Sequence, residues 1–335
     1  MKFKLDFKRL FGAAVDRLFA VGLTDPDSFS LAVRPILEGH ADGDIHKAQR
    51  LALQGLSDYG HVVKKYSKTF LEGLNDKVSY QCLRVAMAGK ETTPVGTSHG
   101  LDPNAEGLEI LSYLFGFQTP GPVSVHPRVM ESAPFRDDSS WQDLYLPPDF
   151  ASQGVQEFRQ NVATYRDGGG ETVLLAAVVG VPDTGSSTNA AHRQLQQLIS
   201  ELRDLVDGFV WVPQLSGSKA LLTEKAFADT ANLMAAEAAS RLKLVELPAC
   251  SEAEQAKHVE LADAFLENGG DGVVAVGGLQ VERQAVPTPD SWPFETAIKS
   301  GGSLANGRQW MIERLRQRHP ACFLAACGGF HDGSE

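Results

Sequence analysis

Long apolar runs and cysteines are both scarce in this chain. No apolar run reaches the length of about 18 residues that a membrane-spanning helix needs, so the sequence predicts no transmembrane segment. The cysteines form no CxxC pair and follow no secretory signal, which argues against a disulfide framework and gives no support for a metal site. We therefore expect reduced thiols in a cytoplasmic protein without a metal; the cysteines are Cys82, Cys250, Cys322 and Cys327.

Basic residues are in deficit. The 335-residue chain carries 31 Lys and Arg against 42 Asp and Glu, which gives a formal net charge of −11. Most of such a surface would repel a polyanion, so we expect no nucleic-acid partner. Apolar residues make up 43% of the chain and charged residues 22%, as is ordinary for a soluble globular protein.

The first 21 residues differ from this acidic average. Phenylalanine, leucine and valine recur there at helical spacing, with lysine and arginine between them. A basic amphipathic helix of this kind can lie on an anionic membrane surface or in a partner's groove, although such a stripe also packs against its own domain. Further helices are predicted over Ser28 to Leu37 and Ile45 to Tyr59, so residues 1–77 are predicted to form a helical N-terminal extension.

Short apolar stretches alternate with helical patterns from residue 78 onward. The clearest strand, Asp271 to Gly278, reads DGVVAVGG and is typical of a strand buried on both faces. Strands are predicted near residues 93, 119, 173, 209, 243, 272 and 322, with helices between them, and a hairpin is predicted within 78–90. Sustained alternation of this kind predicts an α/β fold, a TIM-type (β/α) barrel over residues 78–335.

Paired glycines accompany the last strands. Gly277-Gly278 closes the strand above, Gly301-Gly302 lies in a polar stretch before a helix over Trp310 to Arg318, and Gly328-Gly329 follows an apolar strand over Ala321 to Cys327. Late loops of β/α barrels commonly bind a phosphate through backbone N–H groups, which makes a flavin or sugar phosphate the first ligand to test. Paired glycines also simply turn a chain at strand ends, and the spacing leaves both interpretations open.

Six motifs in order along the chain resemble the membrane-associated, quinone-linked dihydroorotate dehydrogenases, known as class 2. They are TPVGTSHGLDPNAEG (93–107), HPR (126–128), FVWVPQLSGSK (209–219), ENGGDGVVAVGG (267–278), GGSLANGR (301–308) and ACGGFHDGSE (326–335). The similarity covers nearly the whole chain, since IHKAQRLALQGL (45–56) resembles the family's N-terminal extension. The resemblance implies an FMN-binding β/α barrel that oxidises dihydroorotate to orotate in pyrimidine biosynthesis and reduces a quinone.

The same resemblance identifies candidate site residues. Ser216 lines up with the serine that removes a proton from dihydroorotate while hydride passes to the flavin. Gly217-Ser218 follows it where the family has Pro-Asn, and a serine in such a loop is also typical of a turn or a helix N-cap. The glycines that would receive FMN are Gly100, Gly277, Gly278, Gly301, Gly302, Gly328 and Gly329.

Most reactive positions depart from the family pattern. Pro103 stands where a lysine contacts flavin and substrate, and Glu246 stands where a lysine stabilises negative charge on reduced flavin. Neither replacement supplies the missing cation. Amide or hydroxyl groups are lost at Ala177, at Pro213, at Val276-Gly277-Gly278 and in the substrate loop, which falls on Leu146 to Ala151.

The C-terminal end departs as well. The family continues after the second Gly-Gly loop with a helix and an eighth strand, whereas this sequence stops at Glu335. Either the sequence is truncated or the barrel is incomplete at the eighth strand. An incomplete barrel has two open edges, whose unpaired backbone groups need cover.

Two functional hypotheses follow. The first is a degenerate, non-catalytic dihydroorotate dehydrogenase-like protein without a cofactor. It would be a structural or regulatory subunit that docks on a protein partner through the open edge and the N-terminal helix, at the inner face of a membrane. The second is an active FMN-dependent enzyme. Losing two lysines and several amides together removes most binding and transition-state stabilisation, so the first is preferred.

The histidines show no metal spacing. Four of them are dispersed along the sequence. We interpret these four as surface or loop residues: His99, His126, His258 and His331.

Overall fold

The computed structural model describes residues 39–41, 47, 50–53, 84–113, 115–132, 134–137, 140–181, 188–249, 254–286, 292–301 and 305–327. Predictions for the basic stretch 1–21, for the helix Ser28 to Leu37 and for Gly302, Gly328, Gly329 and His331 lie outside the described residues. Residues 47 and 50–53 are helical, within the predicted helix Ile45 to Tyr59.

From residue 84 onward, the described residues contain eleven strands and six α-helices, numbered here in chain order. The strands are β1 Val85–Met87, β2 Lys90–Thr92, β3 Phe117–Gln118, β4 Phe135–Asp137, β5 Ser140–Leu146, β6 Val173–Val178, β7 Gly208–Trp211, β8 Leu242–Ala249, β9 Gly272–Glu282, β10 Thr296–Gly301 and β11 Phe323–Ala326. The helices are α1 Leu108–Ser112, α2 Val155–Asp167, α3 Thr188–Leu202, α4 Glu224–Glu237, α5 Gln255–Leu266 and α6 Ala305–Arg318.

Six parallel strands form a curled half-barrel with helices around it. They pair in the order β3, β6, β7, β8, β9 and β11. A parallel bridge between Gly96 and Phe117 adds the segment at Gly96 on the β3 side. The predicted TIM-type fold is confirmed. Six of the seven predicted strand positions carry a parallel strand, whereas the position near residue 93 has only the isolated bridge at Gly96.

Fully apolar strands explain why this sheet lies in the centre of the molecule. All six residues of β6 are buried. Leu174 and Ala176 pack in the cluster between the strands and the helices, whereas Leu175 and Ala177 pack in the cluster inside the half-barrel. A strand covered on both faces needs apolar side chains on both, which is what VLLAAV supplies.

The helices dock through apolar stripes. Thr223 caps α4, because its Oγ1 accepts a hydrogen bond from the Ala226 N–H at 3.3 Å. Phe227 on α4 then meets Trp211 of β7 edge-on, with ring centroids 4.9 Å apart, and both side chains are fully buried. Such contacts fix each helix against the strand that precedes it.

Strand β9 divides the sheet. Its first half, Gly272–Ala275, lies between β8 and β11, whereas Leu279–Glu282 pairs antiparallel with β10. Strands β5 and β4 continue the antiparallel part. The prediction that Gly277-Gly278 closes the strand is therefore wrong, because β9 runs through both glycines. Gly301 likewise ends β10 instead of lying in a loop.

The amino ends of the strands are closed by the predicted hairpin, which the structure places at β1 and β2. Lys90 of β2 forms a salt bridge with Asp207 at 2.9 Å and donates to the Glu171 carbonyl at 3.2 Å. These partners lie just before β7 and β6. The hairpin thus covers the floor of the half-barrel, which leaves the carboxyl ends of the strands as the accessible face.

The segment before the barrel touches it at one described point. Leu53 is 9% exposed and packs with Ile110 and Leu111 of α1. Among the described residues, no helix combines the length and apolarity needed to cross a membrane.

Candidate functional site

A cavity of about 500 Å³ opens at the carboxyl ends of the parallel strands. Its walls are mostly apolar, and two of its polar side chains, His99 and Cys327, contact a third, Glu246. Over the described residues the parallel sheet does not close, and a gap separates its two outer members, the bridged segment at Gly96 and β11. The cavity extends from one border of this gap to the other. The lining residues are Pro94, Val95, Gly96, Thr97, Ser98, His99, Phe117, Thr119, Leu175, Val210, Leu244, Glu246, Val274, Ala325, Ala326 and Cys327.

Glu246 is the buried acid of this cavity. Side chains alternate along β8, so Leu244 and Glu246 line the cavity while Val245 packs toward the helices. Glu246 is only 2% exposed. Its Oε2 lies 2.8 Å from His99 Nε2, and its Oε1 accepts a longer hydrogen bond, 3.4 Å, from Gln214 Nε2. A carboxylate buried this deeply requires such partners.

His99 faces Glu246 and not the solvent. It lies in the turn after Gly96, held by a backbone hydrogen bond from Gly100 N–H to the Gly121 carbonyl at 2.7 Å. Burial lowers the pKa of His99, but the charge of Glu246 and the hydrogen bond to it outweigh burial and leave the pKa raised. The prediction of a surface or loop histidine is right about the loop and wrong about the surface, since the side chain is 18% exposed and paired.

Cys327 joins the pair from the end of β11. Its sulfur lies 3.9 Å from Glu246 Oε2. Burial and the charge of Glu246 raise the pKa of the Cys327 thiol well above its ordinary value, although the charge of Arg308 opposes them. The thiol therefore stays protonated at neutral pH, and this arrangement does not make it a nucleophile.

Ser216 is engaged in a turn. It ends a 3-10 helix over Pro213–Ser216, and Gly217 follows in the left-handed conformation with φ of 73°. Its Oγ donates to the Pro213 carbonyl at 2.6 Å and accepts from the Ser218 N–H at 3.2 Å. Ser216 is 4% exposed and is not among the residues that line the cavity. Its role in catalysis stays a prediction.

Two other candidate positions, Ala177 and Pro213, lie at the carboxyl ends of β6 and β7 and carry no polar side chain. Ala177 is fully buried, and its carbonyl accepts from the Val123 N–H at 2.8 Å. Pro213 is buried at the start of the 3-10 helix. Of the glycines that the resemblance assigns to FMN, the structure describes four. They are Gly100 in a turn, Gly277 and Gly278 inside β9, and Gly301 at the end of β10.

Asp102, just before Pro103, is a buried acid that the sequence analysis did not single out. Its two carboxylate oxygens accept from the Glu106 and Gly107 N–H groups, both at 2.9 Å. Burial raises the pKa of Asp102 to about 6, although these hydrogen bonds oppose the rise. An aspartate a few residues before a predicted helix is the available sequence signal for this capping role.

FMN does not fit this group of side chains. Reduced flavin would carry negative charge toward the position of Glu246, where the resemblance expects a lysine. The described lining contains no lysine or arginine. A buried carboxylate that is already paired with His99 offers no free cation to stabilise such charge.

The comparisons with known proteins show the fold. No family model matches the sequence. No curated protein matches it either. The structure of DHODH (dihydroorotate dehydrogenase) from Eimeria tenella in complex with ferulenol has a TM-score of 0.62 at 18% identity, over 75% of this chain and 74% of that chain. The ligand-free DHODH from the same organism gives 0.62 at 19% identity, over 75% and 76%. This chain therefore has a DHODH-like fold.

Proposed function

We propose that this chain is a divergent, class 2-like relative of dihydroorotate dehydrogenase that has lost catalysis. The observation that carries the proposal is the buried His99–Glu246 pair, with its 2.8 Å contact at the mouth of the half-barrel. Moving or breaking a buried pair is costly, because the remaining charge loses its partner. The pair therefore holds a carboxylate where the resemblance requires a lysine.

Ser216 supports the same proposal. A serine that acts as a base passes its proton to a positioned acceptor, yet here Oγ donates to a backbone carbonyl, which does not take up a proton at neutral pH. The groups expected to hold substrate beside it are Gly217 and Ser218, and the Ser218 hydroxyl has no hydrogen-bond partner among the described residues.

The test is flavin content and turnover in the purified full-length protein. We expect no flavin absorbance at about 450 nm, no saturable binding of added FMN, and no quinone reduction with dihydroorotate. Ser216→Ala should leave this absence of turnover unchanged. Stoichiometric flavin, or turnover that Ser216→Ala abolishes, would instead establish the active FMN-dependent dehydrogenase.

For its role we propose a structural or regulatory subunit, cytoplasmic and at the inner face of a membrane. Support comes from the open side of the half-barrel, where Val95 is 63% exposed and all four residues of β11 are only half-buried. An uncovered sheet edge with apolar side chains favours pairing with another polypeptide. The basic amphipathic stretch 1–21 offers a second attachment.

Removing residues 1–21 tests this role. We expect the full-length protein to elute with a larger assembly or to sediment with anionic vesicles, and the shortened protein to do neither while its unfolding transition is retained. A full-length protein that elutes as a monomer and leaves anionic vesicles unbound would contradict the proposed role.

A further inference from the structure

The interior of the half-barrel has an unfilled space beside the His99–Glu246 pair. In closed β/α barrels, inward side chains fill the interior in layers. Here Leu175, Val210 and Leu244 leave a cavity of about 500 Å³. That volume lies within the range of about 300–1,000 Å³ typical of small-molecule sites, and its largely apolar wall with a few polar groups is also typical.

The ionisable groups of the lining cancel each other. Glu246 is compensated by His99, and the protonated thiol of Cys327 is neutral. A ligand with a net charge would lose its hydration without gaining a counter-charge from the lining. The cavity is therefore suited to an uncharged molecule.

One polar atom of the pair points to a particular kind of ligand. His99 Nε2 is bound to Glu246, whereas Nδ1 has no hydrogen-bond partner among the described residues. The side chain lines the cavity and is 18% exposed. With Nε2 on Glu246, Nδ1 is the ring nitrogen left to meet a ligand. In the protonated ring, which Glu246 favours, Nδ1–H is a donor. A ligand end that accepts a hydrogen bond complements it.

We propose that the half-barrel interior binds a small uncharged molecule with an apolar body and a carbonyl-type acceptor, the body against Leu175, Val210 and Leu244 and the acceptor at His99 Nδ1. The gap between Val95 and Ala325 is its entrance. This inference goes beyond the proposed function, because it requires neither a partner nor the loss of catalysis.

Displacement of the neutral fluorophore Nile red from the full-length protein tests the proposal. The competitors are octanone, octanoate and octylamine, which share one chain length and differ in the head group. We expect octanone to displace the probe at a concentration about tenfold below either charged competitor, because only its head is both uncharged and an acceptor. His99→Ala should weaken octanone and Nile red alike, each by about tenfold, because the ring carbonyl of Nile red is a hydrogen-bond acceptor as well.

Filling the cavity gives the matched comparison. Ala325→Phe should abolish Nile red binding, and Val129→Phe should leave it unchanged, because Val129 is 87% exposed and does not line the cavity. If Ala325→Phe lowers the unfolding temperature strongly, Val95→Trp at the exposed rim replaces it. Three results would overturn the proposal: no binding of Nile red, equal displacement by octanoate, or unchanged binding in the filled variants. Displacement by micromolar FMN would also overturn it, by assigning the space to flavin.

Discussion

Glu246 and His99 stabilise each other in a place where neither would be stable alone. The carboxylate is almost completely buried, and the imidazole is its closest described partner. Removing one member of a buried pair leaves an uncompensated group, which typically costs several kcal/mol. Under the proposed function, the same pair that stabilises the mouth also places an acid where the resemblance requires a cation.

Glu246→Gln should reveal the contribution of the His99–Glu246 pair through the pH dependence of the unfolding free energy. The pKa of His99 is raised in the folded state, so its contribution is fully present below the unfolded value of about 6.5 and is lost as pH rises through the folded value. We expect the variant to lose about 1–3 kcal/mol of unfolding free energy near pH 6 and less at pH 9, measured by urea denaturation. The exposed Glu131→Gln is the control. A loss that stays constant or grows toward pH 9 would contradict the assignment.

Asp102 predicts a second pH effect. Its pKa is raised to about 6 in the folded protein, so its contribution is greatest below the ordinary value of 3.8 and declines as pH rises through 6. In the Asp102→Asn variant, the side chain at this position has no titratable group. Between pH 4 and pH 7, the unfolding free energy of the variant should therefore rise relative to that of the wild type by about 2–2.5 kcal/mol. Parallel profiles for the two proteins would show that Asp102 titrates normally.

The contacts and pKa shifts of single residues could not be predicted from the sequence. His99 and Glu246 are 147 positions apart, and only the parallel order of the strands brings them together. The resemblance marked Glu246 as a departure, but no local pattern showed that a histidine would neutralise it. Asp102 was missed for a similar reason, because its raised pKa depends on burial by the fold.

At the scale of elements, Gly272 sets how closely β11 approaches β9. It pairs with Phe323 in the parallel register, and a Cβ at residue 272 would overlap the Phe323 carbonyl oxygen. That carbonyl belongs to backbone, which cannot rotate away as a flexible side chain can. The close approach therefore depends on glycine.

Gly272→Ala should loosen β11 specifically. We expect a loss of about 1–3 kcal/mol in unfolding free energy, because the added methyl group forces the backbones apart. Hydrogen exchange at the Phe323 and Cys327 amides, which donate to Asp271 and Ala275 carbonyls, should become faster than exchange in β7. Gly39→Ala is the control, since no atom lies within 4 Å of its added Cβ. Unchanged exchange in β11 would contradict this role.

The same scale explains which elements the sequence predicted. Continuous apolar strands such as β6 and β7 were predicted at the right positions, since burial on both faces requires an unbroken apolar run. The antiparallel strands β4, β5 and β10 were missed. Their segments are short or mix polar and apolar residues, and β10 pairs with the extension of β9 past Gly277-Gly278, where paired glycines predicted an end.

At the scale of the molecule, the half-barrel combines a tightly packed layer between strands and helices with an open side. Each helix from α2 to α5 covers the parallel strands, and the hairpin of β1 and β2 covers their amino ends. The gap between the bridged segment at Gly96 and β11 has no such cover among the described residues, which is why Val95 is exposed. Open sheet edges favour pairing with other chains, although Pro94 removes one backbone donor on the Gly96 side.

Val95→Lys should therefore weaken association without weakening the fold. A lysine on an open edge opposes strand pairing, and Val95 is already 63% exposed, so we expect the unfolding free energy to change by less than about 0.5 kcal/mol. Light scattering over a concentration series should show a smaller assembly than for the wild type. Val129→Lys adds the same charge at a residue that is 87% exposed and away from the gap, and it should associate as the wild type does. If both variants associate like the wild type, the open side is not the surface through which this protein assembles.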